Sequence, residues 1–213
     1  VIFLTGFIDD LGHIAARYKL LLQIIAGILV VLSGLEITKL RIFDWVTIDF
    51  GYLAPVLTVI WVVAFINAIN LIDGMDGLAS GLVIIANIFI MLLAFDANNH
   101  FVFYLTLVLT AAILGFYFFN FPPAKIFMGD GGAYFLGFMY ATIALMGLKK
   151  SAVLTLFLFP FILLLVPLVD ILLVMLKRFR FGYHIFVADK NHIHHRLLSL
   201  GFNNLGVLVV VYS

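Results

Sequence analysis

The 213-residue chain is 65% hydrophobic and only 11% charged, with a mean hydropathy of +1.25, far outside soluble usage. A net charge of +1, without a long basic run or a basic patch interleaved with aromatics, argues against nucleic acid as a partner. The absence of cysteine excludes disulfides, thiol nucleophiles and Cys-based metal sites, leaving carboxylate, His, Asn and Lys chemistry.

In chain order, residues 1–8 form an apolar stub, too short for the roughly 20 residues that a spanning helix needs. It also lacks the basic region and cleavage site of a signal peptide. Residues 207–213 read likewise as a helix cut short, so the sequence is expected to be a fragment lacking N-terminal helices and a C-terminal end. Uncharged stretches at 20–35, 50–72, 77–95, 101–124, 131–148 and 151–169 predict six complete spans, the first extended by snorkelling of Arg17 and Lys19. The fold expected is all-α, a polytopic transmembrane helix bundle forming one domain over residues 1–213. Residues 36–50 alternate polar and apolar side chains, which predicts a small β-hairpin on the outer face.

Six alternating spans put Asp9-Asp10, Asp73 and Asp76, residues 120–130 and residues 177–196 on one side. That side carries eight basic residues against four opposite, making it cytoplasmic by the positive-inside rule. His100, on the other side, reads as an interfacial histidine.

The polar clusters of that side carry the chemistry. Asp9 and Asp10 end an apolar segment, and adjacent carboxylates either sit in solvent or favour a cation. Asn70, Asp73 and Asp76 recur at i, i+3 and i+6 and so would share a helix face, with Gly74 and Gly77 permitting close approach or an early stop. Ionised groups at a bilayer edge are costly enough that function is the default reading. Residues 120–132 form a loop fixed by Pro122-Pro123 and loosened by Gly129, Gly131 and Gly132, similar to a phosphate cradle. There Lys125 offers a charge for phosphate, Asp130 a carboxylate for a metal, and Phe127 a ring that could stack on a base. His192, His194, His195 and Arg196 could suggest zinc, but the oxygen ligands elsewhere suit Mg²⁺ or Mn²⁺, with the His-Arg cluster serving phosphate or sugar hydroxyls. Asp170 lies inside the last span, where an acid normally lines a cavity or pairs with a base.

Asp9-Asp10 with Lys19, the Asn70-Leu-Ile-Asp73-Gly-Met-Asp76-Gly-Leu78 run, residues 120–130 and His192-Ile-His194-His195 together resemble the polyprenyl-phosphate N-acetylhexosamine-1-phosphate transferase family, which includes phospho-MurNAc-pentapeptide translocase. The His-Ile-His-His-Arg order is more similar to the branch using UDP-GlcNAc-like sugars than to the peptidoglycan translocase. The resemblance implies Mg²⁺-dependent transfer of sugar 1-phosphate from a UDP-N-acetylhexosamine to undecaprenyl phosphate, releasing UMP, by a multi-pass enzyme of the plasma (inner) membrane. It further implies Asp9, Asp10, Asp73 and Asp130 as catalytic residues, with Asp130 and Asp10 at the metal. Lys19, Asn70, Asp76, Asn120, Lys125, Phe127, Gly129, His192, His194, His195 and Arg196 are then expected to bind substrate. Homodimerisation is an expectation carried from the peptidoglycan branch. The competing reading is a cation-coupled transporter or lipid carrier, but such sites lie near the midplane between internal repeats, and no repeat is visible.

Overall fold

A computed structural model describes residues 1–42, 46–148, 206 and 208 of the chain, and these are mostly helical. The order is α1 (Ile2–Gly12), α2 (Ala16–Leu32), β1 (Lys39–Ile42), β2 (Val46–Asp49), a single 3-10 turn (Gly51–Leu53), α3 (Ala54–Ile72), α4 (Leu78–Asp96), α5 (His100–Asn120) and α6 (Gly129–Leu148). Among the described residues three helical segments are long and apolar enough to cross a membrane: Gly51–Ile72, Leu78–Asp96 and His100–Asn120. The span expected over 20–35 is instead the 17-residue α2, which starts earlier, taking Arg17 and Lys19 into its first turn, and ends at Ser33 before the left-handed Gly34. The span expected over 151–169, with Asp170, lies outside the described residues.

Local chemistry sets the breaks. Gly77 has φ of +77° and opens α4, while Asn99 caps α5 by accepting from the Val102 N–H at 3.4 Å. Phe121 is extended because Pro122 follows, so α5 stops at Asn120 rather than at 124. Two further expectations change. Asp130 lies in the first turn of α6, not in a loop. The helix face drawn through Asn70, Asp73 and Asp76 ends early, since α3 stops at Ile72 and Asp76 sits in the Gly74-to-Gly77 turn. β1 and β2 pair antiparallel, with Lys39 opposite Asp49 and Ile42 opposite Val46.

α6 packs most closely on α3 and α1, α2 lies on α3, and α4 pairs with α5. The core centres on Val62, Phe65, Ile66, Tyr140 and Ile143. Buried threonine hydroxyls are satisfied locally, as membrane-like surroundings require: Thr58 Oγ1 donates to the Ala54 carbonyl at 2.8 Å and accepts the Ile37 N–H at 2.9 Å. Large apolar side chains such as Phe118, Phe95 and Val108 are exposed along the helices, the surface that a bilayer would cover.

Helix α6 approaches its neighbours through glycine. A Cβ at Gly137 would lie 2.6 Å from Ile66 Cα and 2.7 Å from the Phe65 carbonyl oxygen, whereas at Gly115 of α5 it would meet nothing within 4 Å. Gly137→Ala is expected to destabilise the protein by about 1–3 kcal/mol through overpacking against main chain. Gly115→Ala should be neutral or slightly stabilising. Thermal unfolding in detergent checks both, and equal melting temperatures for the two variants would contradict the packing described.

Candidate active site at the polar end of the bundle

The first turn of a helix leaves backbone N–H groups without partners in that helix, and in α6 the last turn of α1 supplies them. Asp10 Oδ1 accepts the Asp130 N–H at 2.8 Å and Asp10 Oδ2 accepts the Gly131 N–H at 3.0 Å. Glycine makes this approach possible. A Cβ at Gly6 would stand 2.4 Å from the Asp130 carbonyl, and one at Gly129, where φ is +65°, would stand 2.7 Å from Asp10 Oδ2.

Asp9 serves the neighbouring helix. It is buried, forms an ion pair with Lys19 of α2 and accepts the Ile14 N–H at 2.7 Å. Lys19 Nζ also lies 3.5 Å from Asp130 Oδ2, and Asp130 Oδ1 accepts from Asn70 Nδ2 of α3 at 2.7 Å. One lysine and one amide thus join α1, α2, α3 and α6 around Asp130. A hydrogen bond with Asp130 first, then Lys19 and the Ile14 N–H, holds the Asp9 carboxyl down to about 2, against the effect of its burial. Asp130 shifts upward, first through burial and then through the same hydrogen bond with Asp9.

A second set of bonds ties the 73–77 turn to the segment after α5. Asn120 Oδ1 accepts from the Gly77 N–H at 3.0 Å and from Ser80 Oγ at 2.9 Å, and Asn120 Nδ2 donates to the Ile126 carbonyl at 3.0 Å. Asp76 Oδ2 accepts the Ala124 N–H at 3.0 Å. Between the two sets opens a cavity of about 310 Å³, whose lining includes Asp10, Asn70, Asp73, Asp76, Phe127 and Asp130. Asp73 is pushed up to about 7 by burial first, then by the charges of Asp130, Asp10 and Asp76.

Three of the four polar clusters therefore meet. Asp9, Asp10, Lys19, Asn70, Asp73, Asp76, Asn120, Phe127, Gly129 and Asp130 all lie at this end, with Phe127 76% exposed at the cavity. Lys125 is exposed, and its contact here is a backbone one, its N–H donating to the Phe119 carbonyl at 2.8 Å. His192, His194, His195 and Arg196 lie outside the described residues. Sequence reasoning missed Gly6, Ser80 and the Ile14 and Ala124 N–H groups. Of these only Gly6 left a signal, a glycine three residues ahead of Asp9 in an apolar run.

Residues 1–148, which hold every acid of this site, match the family model described as glycosyl transferase family 4. The chain belongs to this family. It is 39% identical over its whole length to a protein of Bacillus subtilis (strain 168) named probable undecaprenyl-phosphate N-acetylglucosaminyl 1-phosphate transferase, of which it covers 60%. It is 36% identical over 97% of its length to the decaprenyl-phosphate N-acetylglucosaminephosphotransferase of Mycobacterium leprae, covering 58% of that protein. A phospho-N-acetylmuramoyl-pentapeptide-transferase of Streptococcus agalactiae is 37% identical over 67% of the chain, which covers 45% of it. The chain thus spans three fifths or less of the length of these family members.

The donor set can be tested against the Mg²⁺ that the motifs imply. No three acidic or histidine side chains converge to cage a metal among the described residues. Mg²⁺ rarely needs such a cage, being held by one or two carboxylates with waters and substrate phosphates. The cavity lining carries carboxylate and amide oxygens, the hard donors that Mg²⁺ takes, and Asp73 is raised by burial first and then by the neighbouring acids. The residues fit.

Asp73 gives the site a pH signature. Its carboxyl, raised from 3.8 to about 7, binds a proton in the folded state that the unfolded chain releases. Stability of the metal-free protein therefore falls as pH rises between those values and stays lowered above them. Asp73→Asn removes that cost, so its melting temperature should exceed that of the unsubstituted protein by roughly a few degrees at about pH 8, and the gain should vanish at about pH 4. Unfolding scans in chelator measure this; a variant no more stable at the higher pH would refute the assignment.

Proposed function

We propose that the protein transfers N-acetylhexosamine 1-phosphate, the sugar being GlcNAc, from a UDP-sugar to undecaprenyl phosphate. UMP is released, and the reaction opens a cell-envelope polysaccharide pathway. The observation that carries this reading is the meeting of Asp9, Lys19, Asn70 and Asp130 beside an acid-lined cavity at the end of apolar helices. Relatives named as N-acetylglucosamine phosphotransferases support it. The excess of eight basic residues against four supports a setting for this end on the cytoplasmic side of the inner membrane.

An oxygen of the lipid phosphate attacks the phosphorus bearing the sugar. The bond to the UMP oxygen breaks, and no covalent enzyme intermediate forms, because positioning the two anions suffices. Asp130, with Asp10 close by, would hold Mg²⁺, which would supply charge neutralisation on the diphosphate. Asp9 accepts the proton of the lipid phosphate or orients it, and Lys19 and Lys125 contact phosphate. Asn70, Asp73 and Asn120 line the diphosphate and sugar region. Phe127 stacks on uracil, Asp76 binds its polar edge, and His192, His194, His195 and Arg196 hold phosphate or sugar hydroxyls. A phosphorylated Asp9 or Asp10 after mixing with UDP-sugar alone would replace direct attack with a covalent route.

The test is UMP release by the full-length protein from a panel of UDP-N-acetylhexosamines with undecaprenyl phosphate and Mg²⁺. Release with UDP-GlcNAc is expected, falling about 100-fold or more in Asp130→Asn and abolished by chelator. Phe127→Ala should raise the KM for the nucleotide sugar about tenfold, the loss of one stacked base. Folded protein that releases no UMP with any donor would refute the transferase.

A further inference from the structure

Asp9 and Asp10 are adjacent and chemically identical, yet the fold uses them in opposite ways. Asp9 faces α2 and Lys19, whereas both oxygens of Asp10 are taken by main-chain donors of α6. The turn that receives Asp10 is intrinsically weak. Gly129, Gly131 and Gly132 are three of its four residues, and each glycine lowers helical stability and brings no side chain to pack. α1 crosses here in close contact: a Cβ at Gly6 would overlap the Asp130 carbonyl, one at Gly131 would stand 3.1 Å from the Phe7 nitrogen, and one at Gly129 would stand 2.7 Å from Asp10 Oδ2. A glycine-rich helix start that admits its neighbour this closely is stabilised from outside by that neighbour's carboxylate. Two charge-assisted bonds at the positive end of the helix dipole are strong ones for the purpose.

The geometry points to Asp10 as a positioning residue: it fixes the first turn of α6, and through it holds the Asp130 side chain against Asn70 and Lys19. Asp130 is the residue between Gly129 and Gly131, so this capped turn sets its approach to Asn70 Nδ2 at 2.7 Å and Lys19 Nζ at 3.5 Å. What the held Asp130 does rests on the transferase reading, but the holding itself does not.

Two measurements on full-length, metal-free and then Mg²⁺-loaded protein test this. In hydrogen exchange read by mass spectrometry, Asp10→Ala should speed exchange of the 129–132 amides about tenfold or more, with α4 and α5 unchanged. Asp10→Asn retains one acceptor oxygen and should give a smaller rise, which also covers the case in which the alanine variant fails to fold. In the UMP-release assay, kcat should fall about tenfold or more in Asp10→Ala and be partly regained in Asp10→Asn, while the KM for UDP-sugar stays within about twofold. Unchanged exchange in both variants would overturn the proposal. So would an equal loss of Mg²⁺ affinity in both with exchange unchanged, which would put Asp10 on the metal. An unsubstituted protein releasing no UMP would defeat the transferase reading and leave the exchange result standing.

Discussion

Five carboxylates, those of Asp9, Asp10, Asp73, Asp76 and Asp130, crowd one end of an apolar bundle, and the local structure is organised around making that crowding tolerable. Each acid is treated differently. Asp9 takes the lysine, Asp10 the start of α6, Asp76 the Ala124 N–H, and Asp130 an amide from Asn70 together with an upward shift. Asp73 is pushed up to about 7, by burial first and then by the charges of its neighbours. Burial and neighbouring charge raise the Asp73 and Asp130 carboxyls at the cavity, and charge left unbalanced there is what a divalent cation or a protonated ligand relieves.

Bringing the acids together requires helices to approach closer than ordinary side chains allow. Gly6 and Gly131 let α1 meet α6, and Gly137 lets α6 meet α3, in each case with main chain near main chain. Small residues serve this purpose wherever packing, rather than exclusion of apolar surface from water, drives association. The polar end and the close-packed interior are thus one construction: moving α6 outward at Gly137 would also move the Asp130 turn away from Asn70, which α3 carries one turn after Ile66.

Much of this was legible in the sequence, and the reason is dielectric. Ionised groups in a chain that is 65% hydrophobic mark themselves, so Asp9, Asp10, Asp73, Asp76 and Asp130 could be picked out and put on one side by parity of spans. Prolines and glycines marked the breaks, although Pro122 ended α5 four residues sooner than hydropathy alone indicated. Partnership was not legible. Asp10 meets α6 across 120 residues and Asn70 meets Asp130 across 60, and such pairings depend on crossing angles that no local pattern encodes. Extending a helix face through Asp76 failed because the Gly74 to Gly77 turn ends the periodicity at Ile72. Gly6 left only the signal of a lone glycine ahead of Asp9, which does not say that α6 is the helix that crosses there.

The family members themselves separate chemistry from specificity. Proteins named for N-acetylglucosamine phosphate transfer and one named for phospho-N-acetylmuramoyl-pentapeptide transfer match this chain at 36–39% identity. The acid constellation held by glycine contacts and main-chain bonds lies wholly within the part of the chain that the family model matches, and phosphate is the group that the named substrates have in common. Discrimination needs donors and acceptors aimed at hydroxyl, acetamido or lactyl groups, where one unpaired buried group costs orders of magnitude in selectivity. The family match that contains every acid ends at residue 148, before the His192–Arg196 cluster. On the proposed transferase reading, the acids at Asp9 and Asp130 belong to the phosphoryl chemistry that these substrates share, and the choice of sugar would fall to residues outside the family match, among which the sequence offers His192, His194, His195 and Arg196.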